Sequence, residues 1–207
     1  MKDKHFVVTI GREFGSGGKE VGEKLAAKLG VKCYDKELLA IAAKDSGLCH
    51  EIFEMHDEKP TNSFLYSIVM DTYAGVYNPQ TMLDMPINQK VFLAQFETIK
   101  KIAENESCVI VGRCADYALE NMDNLVSVFI HSDIDKRIER IVKTCNITER
   151  KKAKDMITKT DKKRASYYNY YTNKEWGNSR SYDLTINSGK IGIDKTVELI
   201  ENYINII

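Results

Sequence analysis

The chain has 207 residues, 43% of them apolar and 29% charged, with thirty basic side chains set against thirty acidic ones. That length favours one domain with a sizeable core, and the cancelled charge excludes a global field that would draw the protein to nucleic acid or to a membrane. Any anion it binds is caught by local groups. The opening MKDKHFVVTIGRE has too short an apolar run for a signal peptide, and the longest apolar runs are strand-sized, so no membrane span is expected. Five cysteines (Cys33, Cys49, Cys108, Cys114, Cys145) form no C-x-x-C pair. They read as reduced, mostly buried thiols of a cytoplasmic protein. The four histidines are scattered, and no metal cluster built from protein ligands alone is expected.

Residues 5–10, HFVVTI, are a β-branched run ended by Gly11 and predict a buried strand. A glycine-rich loop, GREFGSGGK, follows. Over 18–29, Val21, Leu25 and Leu29 recur at four-residue steps and predict an amphipathic helix stopped by Gly30. VKCYD predicts a short second strand ending at Asp35, and KELLAIAAKDSG a helix ending near Gly47. Residues 48–90 hold all three prolines and little periodicity, and read as a helical insertion with mobile loops. QKVFLAQFETIKKIAENE predicts a helix, and SCVIVGR a third buried strand ending at Gly112-Arg113. LVSVFIHS predicts a fourth, followed by the helix DIDKRIERIVKTC. YDLTINS, 182–188, predicts a fifth strand, and GIDKTVELIENYINII a closing helix that Asp194 is placed to cap.

Short apolar strands alternating with helices predict a three-layer α/β/α architecture around a five-stranded parallel sheet. Two stretches leave the alternation. One is 48–90; the other is 136–164, where twelve Lys or Arg face four Asp or Glu. Both read as insertions over one edge of the sheet.

In an open α/β sheet, ligands bind beyond the carboxyl ends of the strands, which is where the glycine-rich loop lies. Gly15, Gly17 and Gly18 let successive backbone N–H groups curl around an anion, and the helix start behind them adds partial positive charge. Lys19 is placed to reach outer phosphate oxygens. The residue types suit a nucleoside triphosphate, but the match to G-x-x-x-x-G-K-[ST] is incomplete. Glu13 stands where the first glycine is expected, and Glu20 where the Mg²⁺-binding hydroxyl is expected. Ser16 or water would then fill that coordination position. A glycine-rich turn without ligand is the plain alternative.

Four blocks occur in order: GREFGSGGKEVGEKLAAKLGVKCYDKELL, CVIVGRCADYAL, VFIHSDIDKRIERI and DKKRASYYNYYTNKEWGNSRSYDLTINS. Together they resemble the cytidylate kinase-like family of P-loop nucleoside-monophosphate kinases, over nearly the whole chain and most weakly at 48–90. That family shares the relaxed loop R-E-F-G-S-G-G. The resemblance implies phosphoryl transfer from ATP to CMP or dCMP with Mg²⁺. It also implies a kinase core (1–47, 91–135 and 165–207), a monophosphate-binding insertion at about 48–90 and a lid at about 136–164. A P-loop kinase for another small acceptor, a nucleotide-binding sensor without turnover, and a nucleic-acid-binding module resting on 136–164 stay open beside it.

Residue by residue, the expected donor site is Arg12, Gly15, Ser16, Gly17, Gly18, Lys19 and Glu20, with Lys19 stabilising charge on the transferred phosphoryl. A surface salt bridge explains Arg12 equally well. Arg113, at a strand's carboxyl end, is shaped to fork onto a phosphate, and the resemblance makes that the acceptor's phosphate; a structural ion pair is the alternative. Arg137 and Arg140 share one helix face, and as lid arginines they would neutralise spread-out charge on closure. Asp161 and Arg164 form the D-x-x-R that contacts the acceptor in CMP kinases, and Asp35 matches an acceptor-side aspartate. Three departures accompany these matches: Lys36, Ile41 and Ile157 stand where the family pattern has a serine and two arginines. Asp116 reads either as a ligand contact or as a helix cap. Tyr167, Tyr168, Tyr170, Tyr171 and Trp176 read as packing more readily than as a base-stacking platform.

Overall fold

The computed structural model of the protein describes residues 5–59 and 85–207. Pro60, Pro79 and the middle of the expected 48–90 insertion lie outside the described residues. Five parallel strands form one sheet: β1 (Val7–Arg12), β2 (Lys32–Tyr34), β3 (Cys108–Val111), β4 (Leu125–His131) and β5 (Leu184–Asn187). Their spatial order is β2-β3-β1-β4-β5. In register, Val7 faces Cys108 on one side and Leu125 on the other. The chain goes to one side of β1 for β2 and β3, then to the other for β4 and β5. The crevice beyond the carboxyl end of β1 is therefore a switch point of the kind where such sheets bind ligands.

The alternation of the strands sorts the core into two layers. Val8, Ile10, Val109, Val111, Val128 and Ile130 pack on α1 (Gly18–Leu29) and the closing helix, through Val21, Leu25, Val197 and Ile200. Val7, Cys108 and Ile110 point the other way, onto Leu38 of α2 (Glu37–Ser46), Ile99 of α4 (Ile87–Asn105) and Ala115 of α5 (Ala115–Ala118). A short α3 (His50–His56) docks through Phe53, which is wholly buried against Leu39, Ala42 and Val91. The central strands, covered on both faces, are accordingly apolar over most of their length.

Beyond β4 come α6 (Ile134–Thr144), then a 23-residue α7 (Arg150–Thr172), a short α8 (Ser188–Ile191) and the closing α9 (Ile193–Ile206). The long helix serves two cores. Its first half packs Ala153 and Ile157 against Ile138 and Ile141 of α6. Its second half puts Tyr167, Tyr168 and Tyr171 against Phe92, Phe129 and Tyr182. The Phe92 and Tyr171 rings stack with centroids 3.9 Å apart. The expected boundary at 164/165 falls inside this helix, which runs unbroken from the α6 core to the aromatic layer.

Several expectations need correction. β1 does not stop at Gly11: the ladder continues to Arg12, opposite Ile130. β5 is shorter than 182–188, because the Asp183 carboxylate accepts from the Ser127 N–H and hydroxyl, both at 2.7 Å. Asp194 does not cap α9; Gly192 holds the cap position and Asp194 pairs with Lys24 at 2.7 Å. All five cysteines are free, but only Cys108 and Cys114 are buried; Cys33 is half-buried, and Cys49 and Cys145 are exposed. No described helix is long and apolar enough to cross a membrane.

Candidate functional site

The loop between β1 and α1 sits at the carboxyl edge of the sheet. Gly15 and Gly17 take left-handed conformations, φ 82° and 85°, and Gly17 is the N-cap of α1. A Cβ on Gly17 would lie 2.5 Å from Ile193 Cδ1 and 3.2 Å from Arg140 Cζ. Only glycine fits that turn. The first-turn N–H groups of α1 have no acceptor inside the helix, and that of Gly18 reaches only the Ser16 hydroxyl at 3.4 Å; a helix start of this kind suits an anion.

The loop is held from three directions. The buried Ser16 hydroxyl donates to the Glu13 carbonyl at 2.9 Å, and the Ser188 hydroxyl donates to the Ser16 carbonyl at 2.6 Å. Arg137, buried, donates from Nε to the Phe14 carbonyl at 2.8 Å, and its Nη1 pairs with Glu13 at 3.1 Å. Asp161 accepts from the Phe14 N–H at 2.7 Å and also pairs with Arg137. Arg137 and Asp161 thus act together as a clamp on the loop's outer side. Arg140 instead pairs with Glu20 at 2.6 Å. It stands with Gly15, Ser132, Lys136, Lys143 and Gly189 around a cleft of about 560 Å³. Lys19 points elsewhere: its Nζ lies 3.1 Å from Asp35, beyond the end of β2, and that hydrogen bond raises its pKa.

The groups available for magnesium are few. Ser16 turns its hydroxyl into the loop, and Glu20 is paired with both Arg140 and Lys24. Among the described residues, no cluster of three or more His, Cys, Asp or Glu is placed to hold a metal. The cradle of N–H groups fits a polyphosphate; a magnesium ion would be carried mainly by phosphate oxygens and water.

Across the loop lies a second polar centre. After β3, Gly112, Arg113 and Cys114 are all left-handed, with φ of 79°, 55° and 55°. For residues with a Cβ this costs about 1–2 kcal/mol each, and such strain gathers at functional sites. The turn aims Arg113 inward, where its side chain is only 2% exposed. A Cβ on Gly112 would come within 2.1 Å of Arg12 Nη1, so the absence of a side chain admits the Arg12 guanidinium. Arg113 forks onto Asp57, Nε to Oδ1 and Nη2 to Oδ2, both at 3.1 Å, and Nη1 reaches Asp35 at 3.3 Å. Arg12 donates to Glu58 at 2.9 Å and Arg164 donates to the same carboxylate at 3.3 Å. Arg164 also donates to the Arg12 carbonyl at 3.2 Å.

The electrostatics follow from this crowding. Burial alone would raise the Glu58 carboxyl, but Arg12, Arg164 and Arg113 overcome it and hold the group well below its ordinary value. Asp35 is lowered in the same way: burial opposes the charge, while Arg113, Arg12 and Lys19 favour it. Burial would also lower Arg113, yet Asp57, Glu58 and Asp35 carry it above its usual range. Arg164 goes the other way, down to about 10, through burial and the neighbouring Arg12 charge. Asp116, half-buried in the first turn of α5, accepts from the Tyr168 hydroxyl at 2.6 Å, and desolvation raises its pKa.

The structure therefore brings the expected residues to one edge of the sheet but divides them. Gly15 to Gly18, Glu20 and Arg140 lie on one side of the loop; Asp35 with Lys19, Arg113, Arg164 and Arg12 lie on the other. Asp161 and Arg164 share a face yet act apart, one on the loop and one on Glu58. Ile157 is buried in the α6–α7 core, Ile41 lies on α2 and packs partly buried against the Leu38 and Ile99 layer, and Lys36 is exposed. Tyr167, Tyr168 and Tyr171 are packing residues. Asp57, Glu58 and Glu13 escaped sequence reasoning. Nothing in HDEK or GREF marks those carboxylates, because their role depends on arginines 46 to 124 residues away in the chain.

Comparison with known proteins agrees with this geometry. The chain is 28% identical over 197 residues to a protein named cytidylate kinase from Archaeoglobus fulgidus, covering 93% of this chain and 91% of that one. A crystal structure of an uncharacterized protein from Eubacterium ventriosum is 34% identical and superimposes with a TM-score of 0.73, covering 97% and 98% of the two chains. Shikimate kinase from Bacteroides thetaiotaomicron, 15% identical and covering 97% and 98%, shares the fold at a TM-score of 0.52. The family model of the cytidylate kinase-like family matches residues 7–190, which hold all five strands and both polar centres. The chain belongs to the cytidylate kinase-like family, a group with a P-loop kinase fold.

Proposed function

We propose that the protein transfers the γ-phosphoryl group of ATP to a nucleoside monophosphate, with CMP or dCMP as the acceptor. The observation that carries this reading is the pairing of two anion-suited centres across one phosphate loop, three arginines on one side and a glycine cradle on the other. ATP would place its phosphates on the N–H groups of Gly15 to Lys19, with Arg140 and Lys136 along the cleft. Magnesium, when bound, neutralises β- and γ-phosphate charge.

The acceptor's phosphate would lie on Arg113 and Arg164. One of its oxygens forms the new P–O bond as the bond from the γ-phosphorus to the β,γ-bridging oxygen breaks, and ADP leaves. That oxygen is already nucleophilic, so no strong base is required and the residues act by positioning and charge neutralisation. Lys19 reaches the transferring group by exchanging its Asp35 partner for phosphate. CMP is favoured over other acceptors by the family and by the archaeal relative's name.

The test is a coupled assay of ADP formation with ATP, Mg²⁺ and each nucleoside monophosphate in turn, with shikimate as a further acceptor. Turnover highest with CMP or dCMP is expected. ADP formed with shikimate alone, or with no acceptor at all, would overturn the reading.

A further inference from the structure

Three arginines from three elements, Arg12 at the end of β1, Arg113 after β3 and Arg164 on α7, converge on one pocket beside Gly112 and Tyr168. Placing such charges together out of water is costly unless anions accompany them. The anions present belong to the chain itself. Asp57 accepts the forked pair of bonds from Arg113, in the two-oxygen geometry a phosphate would also offer. Glu58 bridges Arg12 and Arg164. Both carboxylates follow α3 directly, and Glu58 is left-handed at φ 51°, an unfavourable conformation for a residue with a Cβ. Lys163 secures the turn by donating to the Asp57 carbonyl at 2.8 Å.

We propose that Arg12 is the third arginine of the acceptor site, and that the Asp57–Glu58 turn is a built-in surrogate for the phosphate those arginines receive, so that the acceptor binds by exchange with it. The inference rests on the reading that Arg113 and Arg164 hold the acceptor's phosphate. Charge supports the exchange: two carboxylates carry the same charge as a phosphate monoester near neutral pH, about −1.5 to −2. The pocket stays balanced in both states, and the strain at Glu58 is relieved when the turn leaves. Arg12 then serves the acceptor and not the triphosphate, since its guanidinium lies on the Gly112 side of the loop, away from the cleft around Arg140.

Calorimetry with inorganic phosphate, CMP and ATP tests this on the wild type, Glu58→Gln, Asp57→Asn and Arg12→Gln. An internal competitor lowers apparent affinity by the fraction of molecules in which it occupies the site. Glu58→Gln should therefore bind phosphate and CMP about tenfold tighter, and Asp57→Asn should shift the same way. Arg12→Gln should weaken CMP by about tenfold and leave ATP within about twofold. Unchanged or weaker phosphate binding by both carboxylate variants would overturn the exchange. A loss of ATP affinity in Arg12→Gln that spares CMP would overturn the assignment of Arg12. Should Glu58→Gln be too unstable to titrate, melting with added phosphate replaces the titration: a larger rise in Tm than in the wild type supports the exchange, and an equal one refutes it. These readouts need no turnover. Failure of every acceptor in the kinase assay, with tighter phosphate binding by the variants, removes the acceptor's identity and keeps the exchange.

Discussion

Arg113 shows how a single side chain acquires a role from its surroundings. Its left-handed backbone, its near-complete burial and its fork onto Asp57 make a planar, two-donor group necessary. Lysine keeps the charge but offers a single point. Arg113→Lys should lower kcat/KM for the acceptor about tenfold to a hundredfold, the loss of one charge-assisted hydrogen bond, while the KM for ATP stays near its original value. Equal kcat/KM in mutant and wild type would make Arg113 a purely structural residue. Glu58 and Asp35 add a pH signature at the same scale. Both carboxyls bind a proton more weakly in the folded protein than in the unfolded chain. The stability they contribute is full above their ordinary values, 4.5 and 3.8, and is lost as pH falls below them. Denaturant midpoints followed downward from about pH 6 should fall in the wild type and fall less steeply in Glu58→Gln. Parallel curves would contradict the pairing of Glu58 with the arginines.

Among the elements, α7 joins the α6 core to the aromatic cluster beside the sheet. Ile157 is 1% exposed between Ile138, Ile141 and Ala153. Its truncation to alanine should cost about 2–5 kcal/mol and lower Tm, by loss of burial together with the cavity left behind. The cost should appear in thermal melts without a matching change in nucleotide affinity at low temperature. The strands and α1 were legible in the sequence, because VVTI, CVIV and VSVFI have to be buried on both faces and Val21 and Leu25 recur along one. The 23-residue α7 was not. Its apolar residues serve the α6 core at one end and an aromatic cluster at the other, so no single stripe runs its length. For the site, glycines and a strand-end arginine pointed to the right edge of the sheet. The carboxylates that occupy it did not stand out, since Asp57 and Glu58 gain their meaning only when β1, β3 and α7 come together.

For the whole molecule, the balanced charge and the uneven burial of thiols have separate consequences. Under native conditions a thiol reagent should modify the exposed Cys49 and Cys145 quickly. Cys33, Cys108 and Cys114 should react fully only on unfolding, because burial pushes the Cys33 and Cys108 thiols up to about 12 and holds Cys114 well above its ordinary value. Five equally fast cysteines would contradict the two-layer packing.

In the proposed function, one loop separates a triphosphate cradle from an arginine-lined acceptor pocket. A crystal structure with adenosine and cytidine joined through five phosphates tests this most directly. One molecule should bridge the two centres, its adenosine end in the cleft by Arg140 and Gly189, its cytidine-side phosphate on Arg113 and Arg164, with Asp57 and Glu58 displaced. A ligand bound away from the loop, or one that leaves Arg113 on Asp57, would contradict it.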